Sequence, residues 1–585
     1  MGSLEEQPLG NSFEKVFIGN AGSASDPLDI TDVFSTFLYS GTGQGQAIDN
    51  GIDLDGEGGM VWIKKRNARK SGGVMSTAQG LDSNSNSRYV VPDTTAAQAT
   101  GGLITAYNSN GFTLGTADTT NGSSQTYVAW TFRKSKKFFD VLKYVGNGSS
   151  QNISHSLGSV PGMMIVKDLD GTGKFRVYHR SLGNTLAMEL DGQEDPDDDV
   201  FWNDTTPTDA VFTVGNTDDT NKNNTNYVAY IFAHNNNDGN FGPDGDQDII
   251  SCGTYTGNTS TPPEITLGFE PQWILIKRTT STADWVVFDN MRGVVNGSGD
   301  QHIRWDTNQE EEDRGHQIEF TLNGFKLGTA NQGDSNSPTG ATYIYMAIRR
   351  GQLTPPESAN EVFAIDARTG STPEYVSGFP VDFALIKDSN TSSDWIVNTR
   401  LLGNTFLKTN DSDALAADSL AKFDIQNGIR SDAVAGDFAW MWKRTKGYFD
   451  VSTYIGTGSA LNVPHNLGVV PEMFWVKKTS NAASWNIYHS GTGNGKAFEF
   501  GSEAVATSSA FWNDTTPTES VFTVRNANNV GASGHTYVAF LFATLDGVSK
   551  VGSFTATGND VNVDCGFTNG ARFVLIKRTN SADDW

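Results

Sequence analysis

Apolar residues in this chain come in short, regularly placed runs. Six of them end in lysine: Met60–Lys64 (MVWIK), Met163–Lys167 (MMIVK), Trp273–Lys277 (WILIK), Phe383–Lys387 (FALIK), Met473–Lys477 (MFWVK) and Phe573–Lys577 (FVLIK). Eight residues after the lysine stands an aromatic in five cases: Phe175, Trp285, Trp395, Trp485 and Trp585. A second kind of run follows in most units, at Tyr127–Phe132, Tyr227–Phe232, Tyr343–Ile348, Phe438–Trp442 and Tyr537–Phe542. Runs of four to eight bounded by Gly, Pro, Asn and Asp predict strands. The run Met473–Val476 is almost wholly apolar, which predicts a strand covered on both faces in a sandwich core. Trp485–His489 alternates, which predicts a half-buried strand. HSLGSVP (His155–Pro161) and HNLGVVP (His465–Pro471) read as the turns that set the strand start. Helical periodicity is weak throughout, and the segment 411–425 comes closest to a short helix.

The two markers divide the chain into five whole units of about a hundred residues and part of a sixth. Tyr144, His155, Lys167, Tyr178, Trp202 and Tyr227 each have an identical partner 310 positions later, without an insertion or deletion between them. Trp130 and Trp440 keep the same offset, and the third and sixth units share LIKRT. The order is A-B-C-A′-B′-C′, a duplicated three-unit block. The expected division is an N-terminal arm 1–12, A 13–136, B 137–234, a linker 235–247, C 248–350, a linker 351–360, A′ 361–446, B′ 447–545 and an incomplete C′ 546–585. The fold class this predicts is all-β: tandem antiparallel, jelly-roll-like sandwiches, each burying its own core, strung as a semi-rigid rod. A half sandwich leaves open edges, so the natural chain is expected to continue past Trp585.

Composition narrows the function classes. Of 585 residues, 63 are Gly and only 19% are charged, which suits many short strands and tight turns, and 11% aromatics are too many for a disordered acidic tail. A formal net charge of −25 repels phosphate backbones, so nucleic acid is not an expected partner. No apolar run reaches eighteen residues, so membrane insertion is not expected either. MGSLEEQPLG is not a secretion signal, and Glu6 breaks a myristoylation motif. Cys252 and Cys565 make no disulfide framework. Synthesis in a reducing cytoplasm fits all three.

Candidate chemistry is sparse. SGTGNGKA (Ser490–Ala497) superficially suggests a phosphate loop, but Ser490 and Ala497 break the pattern at both ends and a strand, not a helix, follows. Asp53–Gly58, Asp168–Gly173 and Asp244–Asp248 offer carboxylates in Gly-rich turns; calcium is one reading and a solvated hairpin turn the other. His155, His179, His465 and His489 recur with the repeat but lack the ligand spacing of a zinc site. FWNDTTPT occurs twice, at Phe201–Thr208 and Phe511–Thr518. Trp202, Asn203 and Asp204, with Trp512, Asn513 and Asp514, offer a flat ring and planar polar groups to a glycan. The competing reading is an anchored turn with the aromatics in the core. No pair of catalytic carboxylates stands out, so no catalytic residue, cofactor or metal is assigned.

HSLGSVPGMMIVK, FRVYHRSLGN, FWNDTTPTDAVFTVG and NYVAYIFAH resemble the β-rich repeats of structural proteins from tailed phages, marine and cyanobacterial ones especially, which are described as tail fibre or tail-fibre-like. LGFEPQWILIKRTTSTADWVVFD is similar to the same repeat in another form, and Phe34–Arg66 to the first repeat of such proteins. The resemblance implies sandwich modules, a virion location and attachment to a host surface. It further implies other tail proteins (an adaptor or nozzle) and a host polysaccharide or receptor as partners, with a homotrimer as the usual assembly. It transfers no catalytic residue. A polysaccharide-degrading tailspike and a bacterial cell-surface adhesin or lectin are the alternatives.

Overall fold

The computed structural model describes residues 27–242, 244–294, 300–329, 333–370, 373–403, 405–417, 422–423, 425–430, 437–500 and 505–585. Every strand pairing in it is antiparallel. Unit A carries a six-stranded sheet in the order Phe34–Ser40, Thr126–Arg133, Gly59–Lys65, Gly73–Ser76, Ser87–Val90, Ala99–Gly101. A smaller sheet of Gln46–Asp49, Gly111–Leu114 and Ile104–Asn108 packs over it. The first strand of the unit pairs with the last, Phe34 opposite Phe132.

The same order returns in B with Phe139–Val145, Asn226–Ala233, Pro161–Asp168, Arg176–His179, Leu186–Glu189 and Asp197–Asp198, and in C with Ile250–Thr256, Thr342–Arg349, Pro271–Arg278, Val286–Asp289, Gln301–Arg304 and Glu312–Asp313. Unit A′ repeats it from Phe363–Ala367 to Ala416–Ala417. In B′ four strands remain in the large sheet: Phe449–Ile455, Thr536–Phe542, Met473–Lys478 and Asn486–His489. The all-β sandwich expectation holds. Gly158 and Gly468 take φ of +65° and +69° in the turns before the lysine strands, a conformation that needs glycine. No helix forms in the described part of 411–425; Ala416–Ala417 is a strand, and 418–421 and 424 lie outside the described residues. Among the described residues no helix is long and apolar enough to cross a membrane.

The lysine strands of A, B and C are buried on both faces for a reason the sequence does not show, whereas Phe573–Lys577 pairs with no strand among the described residues and leaves Val574 and Ile576 exposed. The side chains of those three buried strands alternate between two cores. Val61 and Ile63 face the core of sandwich A, as Ile274 and Ile276 face that of C. Met60 and Trp62, Met163 and Ile165, and Trp273 and Leu275 all enter one shared cluster contributed by A, B and C together. The equivalent ends of the three closing strands, Phe132, Phe232 and Ile348, join it. Rings make the contact between units: Trp62 stacks on Trp305 at 3.6 Å, Phe132 meets Phe232 at 5.4 Å, and Trp273 meets Phe34 at 6.2 Å. A, B and C are therefore not self-sufficient beads on a rod; they close on one another around a common apolar centre. The same geometry corrects the half-buried strand expected at Trp485–His489, because Asn486, Ile487 and Tyr488 are all buried.

The second block repeats the plan. Phe383, Leu385, Trp442, Trp475 and Phe542 form its common cluster, against which Phe573 and Leu575 pack from the C′ side. The blocks touch where Glu270 of C, which also pairs with Arg350 of its own unit, meets Arg444 and Asn466, and where Arg400 donates to the Met291 carbonyl at 3.1 Å. In the expected linker 235–247 the described residues are tied to the units: Asn235 accepts from the amides of Ile249 and Ile250, and Phe241 is buried.

Candidate functional site

Trp202 and Trp512 end single helical turns, and both indoles are buried. Each donates to a carbonyl of its own unit, Trp202 to Leu186 at 3.2 Å and Trp512 to Lys496 at 2.8 Å. A ring with no exposed face offers a sugar no stacking surface, so of the two readings of these residues the geometry favours the anchored turn. Asn203 and Asp204, with Asn513 and Asp514, follow in the left-handed conformation at φ between 46° and 54°. Asn and Asp tolerate that conformation better than other non-glycine residues. Asn184 clamps the first turn through the Asp204 carbonyl at 2.8 Å, and Asn494 the second through Asp514 at 2.9 Å. The repeated motif is an anchored turn that leaves Asp204 and Asp514 at the surface.

The recurring lysines carry the dominant recurring polar contact. Each ammonium donates to the carbonyl six residues on: Lys64 to Lys70 at 2.6 Å, Lys167 to Gly173 at 2.7 Å, and Lys277, Lys387, Lys477 and Lys577 to Ala283, Ser393, Ala483 and Asp583. Four of them also reach a carbonyl of the neighbouring unit. Lys167 of B takes Thr95 of A at 3.1 Å, Lys277 of C takes Gly192 of B at 3.4 Å, and Lys64 of A takes Thr307 of C at 3.0 Å. The direction is cyclic, so the third contact closes the ring. Lys477 of B′ repeats it on Ser412 of A′ at 2.8 Å. The aromatic eight residues on adds a second tie, Trp285 donating to Glu189 and Trp485 to Lys408, both at 2.7 Å. Arg66 with Glu311, at 2.8 Å, and Trp130 with Asp289, at 3.1 Å, seal the A–C seam.

Burial pushes the Lys64 and Lys477 ammoniums down to about 8, against nearby carboxylates (Asp93 and Asp306, Asp411 and Asp413) that pull them up. The unfolded chain then binds more protons than the folded one between pH 8 and the ordinary lysine value, so stability rises with pH across that window. The buried Tyr127 and Tyr343 hydroxyls are pushed up to about 12, so beyond the ordinary tyrosine value the sign reverses. The thermal midpoint is expected to climb by a few degrees from about pH 7.5 to a maximum near pH 9–10 and then fall. Differential scanning fluorimetry at constant ionic strength checks this, and Lys64→Met should flatten the rising limb.

The remaining candidates resolve as backbone chemistry. Asp53 accepts from the Gly56 amide, Asp168 from Asp170 and Gly171, and Asp248 from Asn237 and Gly239, as turn-closing carboxylates do. Among the described residues no cluster of three His, Cys, Asp or Glu is placed to hold a metal ion. His155 and His465 each donate through Nε2 to a threonine carbonyl, Thr208 or Thr518, at 3.2 Å, and accept an amide at Nδ1. His179 spans B and C by donating to the Tyr345 carbonyl at 3.1 Å, and burial pushes it down to about 4. His489 accepts from the Gly491 amide at 3.0 Å. Ser490–Ala497 is a hairpin loop that runs into the short strand Lys496–Ala497 rather than into a helix.

One feature had no signal in the sequence. In B an open groove is lined by Arg176, Asp197, Asp199, Phe201, Thr217 and Asp219. Arg176 lies 4.1 Å over the Phe201 ring and pairs with Glu189, Asp197 and Asp219. B′ does not repeat it: Asn486 and Asn529 stand at the positions of Arg176 and Asp219.

The family described as "Domain of unknown function (DUF7483)" covers residues 29–350 and 442–585. No curated protein and no solved structure matches the chain.

Proposed function

We propose that this chain, which belongs to the family described as a domain of unknown function (DUF7483), is a structural protein of a tailed-phage virion, a tail fibre or related appendage that attaches to the host surface. The observation that carries the reading is where the repeat's polar chemistry goes. Its lysines reach backbone carbonyls within and between units, and its paired histidines reach turn carbonyls and amides. Chemistry shared by all units is thus architectural. The resemblance of the repeats to tail-fibre proteins supplies the location.

Attachment in this reading is multivalent. The turns ending in Asp204 and Asp514, presented by B and B′, offer the same polar surface twice, and repeated weak contacts add up to avidity without a deep pocket. Partners are the other tail proteins, adaptor or nozzle, and a host polysaccharide or receptor, with a homotrimer as the assembly to measure by native mass spectrometry. The groove at Arg176 gives little support to a polysaccharide-cleaving tailspike, because Arg176 ion-pairs Asp197 and Asp219 while Asp199 accepts the Val200 amide. Negative-stain imaging of virions with a gold-labelled antibody is expected to mark tail appendages, and label confined to capsid faces overturns the assignment. Host envelope polysaccharide incubated with the protein should keep its size distribution; shortened chains would establish the tailspike instead.

A further inference from the structure

The two blocks meet by a different chemistry from the one that closes each of them. Among the described residues every apolar cluster lies wholly within one block, although the cluster at the centre of the first draws on A, B and C together. The contacts that cross between blocks are polar. The Glu270 carboxylate takes Arg350 of its own unit at 3.2 Å. From the second block it takes the Arg444 guanidinium at 3.5 Å and the Asn466 carboxamide at 2.6 Å. Arg444 is held in turn by Asp450 at 2.6 Å, and its amide donates to Asp382, which also pairs with Arg400. Two carbonyls of the first block complete the joint: Met291 accepts from Arg400 and Thr36 from Gln426, each at 3.1 Å.

The duplicated positions show that this joint was added to the repeat. Lys134 stands 310 positions before Arg444 and pairs with Asp140 as Arg444 pairs with Asp450. Ser156 and Asn466 share one place, and the amide of each donates to the matching aspartate at 2.7 Å. Arg in place of Lys adds a second arm to the cation, and Asn in place of Ser adds a carboxamide; these added groups are the ones that reach Glu270. Glu270 itself stands just before the proline of its lysine strand, where B and B′ have the exposed Val160 and Val470. We propose that Glu270, Arg444 and Asn466 form a polar latch that sets the angle between the two blocks, and that its release lets them swing about 351–360 while the first ring stays closed. Salt separates the two kinds of contact. The Debye length falls from about 10 Å at 0.1 M to about 3 Å at 1 M, which weakens the latch, whereas an apolar centre is not screened.

The test is the distance between spin labels at Ser150→Cys in B and Ala460→Cys in B′, both exposed, in the full chain carrying Cys565→Ser; Cys252 is buried. Double electron–electron resonance at about 0.1 M salt is expected to give one narrow distance, broadening about twofold at about 1 M NaCl. Glu270→Gln should broaden it at the lower salt. So should Arg444→Lys combined with Asn466→Ser, which installs the residues the first block already carries at those places and so keeps the local fold. A pair within the first block, Ser150→Cys with Ser260→Cys, should stay narrow in every condition. A broad distance between blocks at the lower salt, or a narrow one that survives both the salt and the substitutions, would overturn the latch. Broadening of the pair within the first block would overturn it as well, because the ring and not the joint would then have given way. None of these outcomes bears on the virion assignment, which the imaging experiment tests separately.

Discussion

Trp305→Ala is expected to open the first block and to be the most damaging single substitution in the chain. Trp305 belongs to C, is 2% exposed, stacks on Trp62 of A, and lies 6.0 Å from Trp130 and 5.5 Å from Trp273. Truncation leaves a cavity in the common centre that the sheets of A and C would have to move to fill. Large aromatic-to-alanine changes in such sites cost about 3–5 kcal/mol. The loss should fall on the A–B–C assembly as one transition, read in urea by tryptophan fluorescence. Trp395→Ala is the matched control. Trp395 is 36% exposed, so its removal should cost less than about 1 kcal/mol. Equal losses at the two positions would mean that the apolar centre does not hold the units together.

Lys64→Met should be nearly as severe for a different reason. The methionine keeps the aliphatic stem but leaves the Lys70 and Thr307 carbonyls without their donor, at a seam joining residues far apart in sequence. Hydrogen bonds from a charged donor contribute about 1.5–3 kcal/mol, and a carbonyl left bare costs up to about 1–3 kcal/mol, the lower end applying to half-buried residues such as Lys70 and Thr307. Relief of the buried charge offsets part of this, leaving a net loss of about 2–4 kcal/mol. Hydrogen exchange should then quicken first at 306–311, on the C side of the seam. Lys387→Met offers the comparison, because Lys387 is half-buried and its described acceptor is the Ser393 carbonyl of its own unit. Its effect should be clearly smaller.

Much of this was legible in the chain before the fold. Strand identity followed from run length and turn residues, and the offset of 310 mapped onto like environments: Asn203 and Asn513 share one backbone conformation, His155 and His465 one hydrogen-bond pattern. The closing of A, B and C on one another was not legible. A lysine strand covered on both faces looks identical whether its second cover is the other sheet of a sandwich or a neighbouring unit, and the acceptor on that neighbour is a backbone carbonyl, which leaves no trace in side-chain identity. The burial of Trp202 and Trp512 was not legible either, because a Trp-Asn-Asp string serves a turn and a sugar site equally well. The Arg176 groove left no mark because its parts lie far apart in sequence and occur once.

The cyclic direction of the lysine contacts constrains how such a chain can lengthen. In the first block each unit presents its ammonium to the unit before it and its loop carbonyl to the unit after it, and the circle closes at three. Adding one extra sandwich would leave it with no seat in a completed circle, whereas copying a whole trio lays a second circle beside the first. Growth by triplets follows from the geometry, and the 310-residue offset is the imprint of one such step.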